Sequence, residues 1–165
     1  MKEYAYIHES GKLPRLLQDV PFLKSFTDRH RDEILFSSCF VECNPGEIVM
    51  KEGEVDSRIF ILLKGKVEVR KGDEVVAQIE KSGEVFGELA VLGSEKRSAS
   101  VLAKTKLLCL AIDQKFLNEI ESPRQDAAYY AAFYGFLCKV LAQRLIRVTE
   151  ELAAAEKELE RLRPR

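Results

Sequence analysis

The stretch Val85-Phe86-Gly87-Glu88-Leu89-Ala90-Val91-Leu92-Gly93-Ser94-Glu95-Lys96-Arg97-Ser98-Ala99-Ser100-Val101 decides how this chain is read. It runs as a strand end, a glycine, one short helical turn, a polar loop and a returning strand. The amides from Gly87 to Ala90 fall at the start of the turn, where unpaired N–H groups favour an anion. Arg97 carries a planar fork that suits two phosphate oxygens. Ser98 and its backbone amide add donors. Glu88 is an acceptor matched to a sugar hydroxyl. The acid and the arginine can also pair with each other, but an unligated inward-facing pair costs desolvation without an obvious return.

Around this stretch, residues 40–112 read as short strands broken by glycine. The pattern predicts strands at 40–43, 47–50, 58–63, 66–70, 74–80, 98–103 and 106–112. Alternation is clear at Val67 and Val69, and again at Val75, Ala77 and Ile79. Gly46, Gly53, Gly65, Gly72 and Gly83 punctuate the runs, and Lys71-Gly72-Asp73 has the composition of a tight hairpin. Many short strands with regular turns predict a sandwich or jelly roll.

The flanks are helical in pattern. In residues 1–39, Thr27 can cap a helix whose first turn carries Asp28 and which turns Ile34 and Leu35 inward, beside an apolar cluster of Phe22, Leu23 and Phe26. After the strands, Asp113 can cap a short helix over 114–120, and Pro123 marks a break. From about Asp126 a long helix follows. Tyr134, Cys138, Leu141, Leu145, Val148, Leu152, Ala155, Leu159 and Leu162 recur alternately by four and three, a coiled-coil seam. Beyond Leu152 its flanks are almost wholly charged or alanine, leaving a narrow stripe to bury. The expectation is a homodimer through the 126–163 helix. The chain thus divides into a helical segment 1–39, a β-roll 40–121 and a dimerisation helix 122–165.

Composition narrows the function. The 165 residues carry 26 basic and 27 acidic side chains, a formal net charge of −1. So neutral a chain offers no bulk attraction to nucleic acid or an anionic membrane. Cys39, Cys43, Cys109 and Cys138 lie apart in apolar segments and read as buried thiols, and His8 and His30 lie in polar surroundings, so no metal site is expected. The N-terminus lacks the apolar run of a signal peptide, and the nearly uncharged stretch from Ala127 to Cys138 is too short to span a bilayer, so a cytoplasmic setting without membrane contact is expected. No Ser-His-Asp or Cys-His arrangement suggests catalysis.

The quoted run resembles the phosphate-binding cassette of cyclic-nucleotide-binding domains, found in bacterial transcription activators, kinase regulatory subunits and cyclic-nucleotide-gated channels. The resemblance rests on Phe86-Gly87-Glu88-Leu89-Ala90 followed by Arg97, nine residues after Glu88. It extends to Asn44-Pro45-Gly46-Glu47-Ile48, Glu52-Gly53-Glu54 and Phe60-Ile61-Leu62-Leu63-Lys64-Gly65, and covers roughly residues 20–150. It implies a mainly β fold with flanking α, a β jelly roll (double-stranded β-helix) followed by a long coiled-coil helix. It further implies that Glu88 binds the ribose 2′-hydroxyl. Arg97 would bind the cyclic phosphate with Ser98, Gly87, Leu89 and Ala90. Over the base, the long helix would bring Thr149, with Arg147 as neighbour. Serine at position 98 favours cAMP and leaves cGMP open, as ligand rather than cofactor. Without a recognition helix, output is expected through an unidentified effector protein rather than DNA. The competing readings are a shortened transcription regulator, an enzyme acting on the nucleotide, and a relative that keeps the fold but binds another effector or none.

Overall fold

The protein is described by a computed structural model over residues 1–93, 96–113 and 127–162. Along the chain come β1 (Lys2–Ala5), α1 (Arg15–Gln18), α2 (Pro21–Lys24), α3 (Asp28–Phe36), β2 (Ser38–Cys43), β3 (Ile48–Met50) and β4 (Ile59–Lys64). There follow β5 (Val67–Lys71), β6 (Glu74–Ile79), β7 (Val85–Phe86), a 3-10 turn (Glu88–Ala90), β8 (Ser100–Ala103), β9 (Leu107–Ile112) and α4 (Ala127–Leu162). Two antiparallel sheets, ordered β1-β2-β9-β4-β7 and β3-β8-β5-β6, form a β jelly roll.

Strand alternation explains how the layers assemble. Side chains of a strand point to opposite faces in turn, so a strand covered on both sides is apolar throughout. β4 is such a strand. Phe60 and Leu62 enter the core between the sheets, with Val41, Val67, Phe86, Val101 and Cys109. Ile59, Ile61 and Leu63 face the other way and pack with Leu17, Phe22, Leu23, Ile34 and Leu35 from the helices. β9 repeats the division, with Leu107, Cys109 and Ala111 inside and Leu110 and Ile112 under the helices.

α4 completes this outer layer. Tyr129, Phe133 and Leu137, four residues apart on one helix face, are buried. Each such side chain contributes about 1.5–3 kcal/mol by leaving water. The burial ends abruptly. From Leu145 to Leu162 every residue of α4 is exposed. Leu145, Val148, Leu152, Leu159 and Leu162 of the heptad seam are between 54% and 71% exposed.

Several expectations hold at the level of single residues. Thr27 caps α3, its hydroxyl accepting from the His30 amide at 3.4 Å. Ile34 and Leu35 are fully buried. The two-residue turn after Lys71 joins β5 to β6, with Gly72 at positive φ.

Others are corrected. The 1–39 stretch is not all helical. Lys2–Ala5 forms an edge strand on β2, with Lys2 opposite Glu42 and Ala5 opposite Cys39. All four of its residues are exposed, so no alternation marks it. The return strand begins at Ser100 rather than 98, and Val85–Phe86 adds a strand of its own. Both histidines are buried. His8 Nε2 lies 2.6 Å from Asp32 Oδ1, and its Nδ1 lies 3.3 Å from the Tyr6 hydroxyl. Cys138 is exposed and Cys39 half-buried, while Cys43 and Cys109 are buried. The helix expected over 114–120 and the break at Pro123 lie outside the described residues, as do Ser94 and Glu95 of the cassette.

Candidate functional site

The site is built where β7 ends. Gly87 follows with φ +80° and starts the 3-10 turn that carries Glu88. A Cβ at position 87 would sit 2.7 Å from Arg97 Nη1 and 3.1 Å from the Arg58 carbonyl oxygen. Only glycine combines this left-handed backbone with so close an approach of another side chain. The glycine is therefore what lets Arg97 lie against the strand end.

Arg97 is pinned by its backbone and enclosed by its side chain. Its amide donates to the Glu54 carbonyl at 2.8 Å, and its own carbonyl accepts from the Gly53 amide at 2.9 Å. The guanidinium donates from Nη1 to the Gly87 carbonyl at 2.9 Å and from Nη2 to the Arg58 carbonyl at 2.7 Å. Nη2 also lies 3.2 Å from Asp56 Oδ2. The Nε atom is buried without a hydrogen-bond partner among the described residues. Arg97 is 3% exposed. Burial pulls its pKa downward against the opposing charge of Asp56.

Asp56 and Arg58 complete this cluster. Asp56 accepts from the Arg58 amide at 2.9 Å and from Arg58 Nε and Nη2 at 3.2 and 3.1 Å. Arg58 Nη1 reaches Glu3 of β1 at 2.7 Å. Burial works to raise the Asp56 carboxyl, but the Arg58 bonds and the charges of Arg97 and Arg58 outweigh it and hold the pKa low. Burial likewise works to lower Arg58, and its bonds to Asp56 and Glu3 reverse the shift upward.

Glu88 is 2% exposed. Its Oε1 accepts from Arg144 Nη1 of α4, and Arg144 Nη2 donates to the Val85 carbonyl. One guanidinium thus ties the helix to both ends of the Val85–Glu88 segment.

The structure brings Gly87, Glu88 and Arg97 together. Leu89 and Ala90 continue the turn, Leu89 exposed and Ala90 half-buried. Ser98 is exposed, and its carbonyl accepts from Lys71 Nζ at 2.8 Å. Thr149 donates to the Leu145 carbonyl on its own helix at 2.8 Å, and Arg147 pairs with Glu151 at 3.8 Å. The α4 residue that reaches the cassette is Arg144, one turn before Arg147. Sequence reasoning did not single out Asp56, Arg58 or Arg144. The available signals were an acid and an arginine two positions apart just before a strand, and a second arginine on the same helix.

The sequence profile described as "Cyclic nucleotide-binding domain" matches residues 40–122, half of the chain. The chain belongs to this family. It is 31% identical over 105 residues to a cAMP-dependent protein kinase regulatory subunit of Schizosaccharomyces pombe, covering 64% of this chain and 26% of that protein. It is 33% identical over 104 residues to a cGMP-dependent protein kinase of Plasmodium berghei, covering 63% of this chain and 12% of that one. The chain therefore spans about a quarter of the first relative's length and about an eighth of the second's. A solved cyclic nucleotide-binding domain from Methylobacillus flagellatus superposes with a TM-score of 0.73 at 13% identity, covering 85% of this chain and 83% of that one. That likeness concerns the fold. The residues of the site all fall within the matched region except Glu3 and Arg144. Among the described residues, no helix is long and apolar enough to cross a membrane.

Proposed function

We propose that the chain binds a cyclic nucleotide, cAMP in preference to cGMP, and acts as a dimeric regulatory module rather than an enzyme. The observation that carries this reading is the buried Nε of Arg97, without a partner among the described residues, beside the Gly87–Ala90 turn. A buried guanidinium N–H without an acceptor is costly, and an anion there would satisfy it. Arg97 and Ser98, with the amides of Gly87, Leu89 and Ala90, hold the phosphate in this reading. Glu88 accepts from the ribose 2′-hydroxyl. These groups donate to or accept from a ligand, which is recognition chemistry rather than bond cleavage.

The exposed seam from Leu145 to Leu162 supports the dimer. Its four-three spacing suits knobs-into-holes packing against a second copy of α4. In such a dimer the projecting helix passes over the ligand, and Thr149 and Arg147 are the candidates to meet the base. Ligand would bias α4 between two packings, and an effector protein would read the change. The net charge of −1 supports a protein partner over DNA, and a cytoplasmic setting fits that role.

Titration calorimetry with cAMP and cGMP on the wild type and on Arg97→Ala tests this reading. Binding of cAMP in preference to cGMP, weakened at least tenfold by Arg97→Ala, is expected from loss of a charge-assisted phosphate contact of roughly 1.5–3 kcal/mol. If neither nucleotide binds the folded protein, Asp56 and Arg144 are permanent structural partners of Arg97 and Glu88, and the reading fails.

A further inference from the structure

We infer that Glu52 and Lys71 are positioning residues for phosphate binding, which clamp the tip of the β5–β6 hairpin onto residues 97–99 and so hold the donors of Ser98 in place beside Arg97. The inference rests on the reading of Arg97 and Ser98 as phosphate-binding groups.

The clamp follows from where the strand ladders stop. β8 begins at Ser100, opposite Arg70 of β5, and its pairing with β3 reaches Met50 opposite Val101. Residues 97–99 lie beyond both ladders. Two neighbouring turns hold them instead. The Arg97 main chain is bonded through its amide to Glu54 and through its carbonyl to Gly53. The Ser98 carbonyl accepts from Lys71 Nζ at 2.8 Å. The Glu52 amide donates to Ser100 Oγ at 2.9 Å. The Glu52 carboxylate then joins the two turns. Its Oε1 accepts from Lys71 Nζ at 2.6 Å and its Oε2 from the Gly72 amide at 3.0 Å. The Gly72 amide, and after it Lys71, hold this carboxyl below its ordinary pKa.

The two phosphate-binding side chains depend on this clamp to different degrees. The Arg97 guanidinium is fixed by the Gly87 and Arg58 carbonyls and by Asp56, independently of the hairpin. Ser98 is exposed, and Lys71 ties its main chain to the hairpin tip. Without the clamp, this stretch must be ordered as the phosphate arrives, and the entropy lost in fixing its backbone opposes binding. The clamp itself is exposed, 31% at Glu52 and 61% at Lys71. A pair so open to water adds little to folding stability. Its loss therefore registers in ligand affinity and not in unfolding.

The test is titration calorimetry of the full chain with cAMP, with urea unfolding of each protein. The proteins are the wild type, Glu52→Gln, Lys71→Met, Lys71→Arg and the double variant carrying Glu52→Gln and Lys71→Met. Glutamine keeps one acceptor and turns an amide donor toward the other partner, so it cannot serve both Lys71 and Gly72. Glu52→Gln and Lys71→Met should each weaken binding about three- to tenfold at an unchanged urea midpoint. The double variant should lose little more than the weaker-binding single one, because the two side chains act as a unit. Lys71→Arg keeps the charge and the reach and should stay near the wild type. Nitrogen relaxation supplies the second readout. The Ser98 and Ala99 amides should gain fast motion in ligand-free Lys71→Met and lose it at saturating cAMP. Wild-type affinity in both single variants, additive losses in the double variant, or weakening matched by a fall in the urea midpoint overturns the inference and leaves the binding reading intact. Unchanged relaxation at Ser98 and Ala99 in Lys71→Met also overturns it. If the wild type does not bind cAMP, the binding reading and the inference fall together.

Discussion

Arg144 and Glu88, 56 residues apart in sequence, share an ion pair that fastens the long C-terminal helix to the turn after β7. A second pair joins Arg97 to Asp56 at 3.2 Å. The acid and the arginine that the cassette pattern singles out are thus each held by a different protein partner, not by one another. Both are almost wholly buried. In the proposed reading, a ligand entering here would exchange one set of charged contacts for another.

Gly87→Ala should be disproportionately harmful. Its left-handed φ of +80° costs an L-residue about 1–2 kcal/mol. In addition, the new methyl would press on Arg97 Nη1 at 2.7 Å. Urea unfolding should show a stability loss of at least that size, and calorimetry should show weakened cAMP binding. Unchanged stability would mean that Arg97 does not lie against the strand end.

Asp56 should make the domain acid-sensitive. Its folded-state pKa lies below the ordinary value of 3.8. A carboxyl depressed in this way contributes stability that is complete above its unfolded-state pKa and is lost as pH falls through the folded-state value. Wild-type stability should therefore decline from roughly pH 5 downward. Asp56→Asn should be less stable at neutral pH and show a shallower acid decline. Identical slopes for the two proteins would show that Arg58 and Arg97 do not hold this carboxylate.

Leu152→Glu should separate assembly from folding. Leu152 lies in the exposed part of α4, 59% accessible, and takes no part in the domain core. Placing an acid in a coiled-coil seam opposes burial of that layer. Sedimentation velocity should show a wild-type dimer and a variant monomer with the same circular dichroism over the β region. A monomeric wild type would contradict the dimer.

Much of this architecture is visible in local sequence, and the parts that are not share a cause. β4 and β9 announce themselves through apolar runs and bounding glycines. Thr27, Ile34 and Leu35 follow helix-capping and periodicity rules. The turn from Gly87 to Arg97 is legible because a positive-φ glycine, an acid and an arginine sit within a few positions. By contrast, Asp56 meets Arg97, and Arg144 meets Glu88, only after the chain has folded. Residues so far apart leave no periodic trace. β1 escaped because Lys2-Glu3-Tyr4-Ala5 is exposed on both faces and so lacks alternation. The burial of His8 and His30 is not legible in sequence because polar neighbours along the chain do not decide it. Packing against Phe36 and Tyr129 does.

The central claim, that a cyclic phosphate is held by Arg97, is tested most directly by the Nε–H resonance of that residue in proton–nitrogen NMR. Without ligand this N–H is buried and lacks an acceptor among the described residues. On addition of cAMP it should gain a phosphate oxygen as acceptor, move downfield and exchange more slowly with solvent. A folded protein that binds cAMP while this resonance stays in place would contradict the account, because the phosphate would then be held elsewhere.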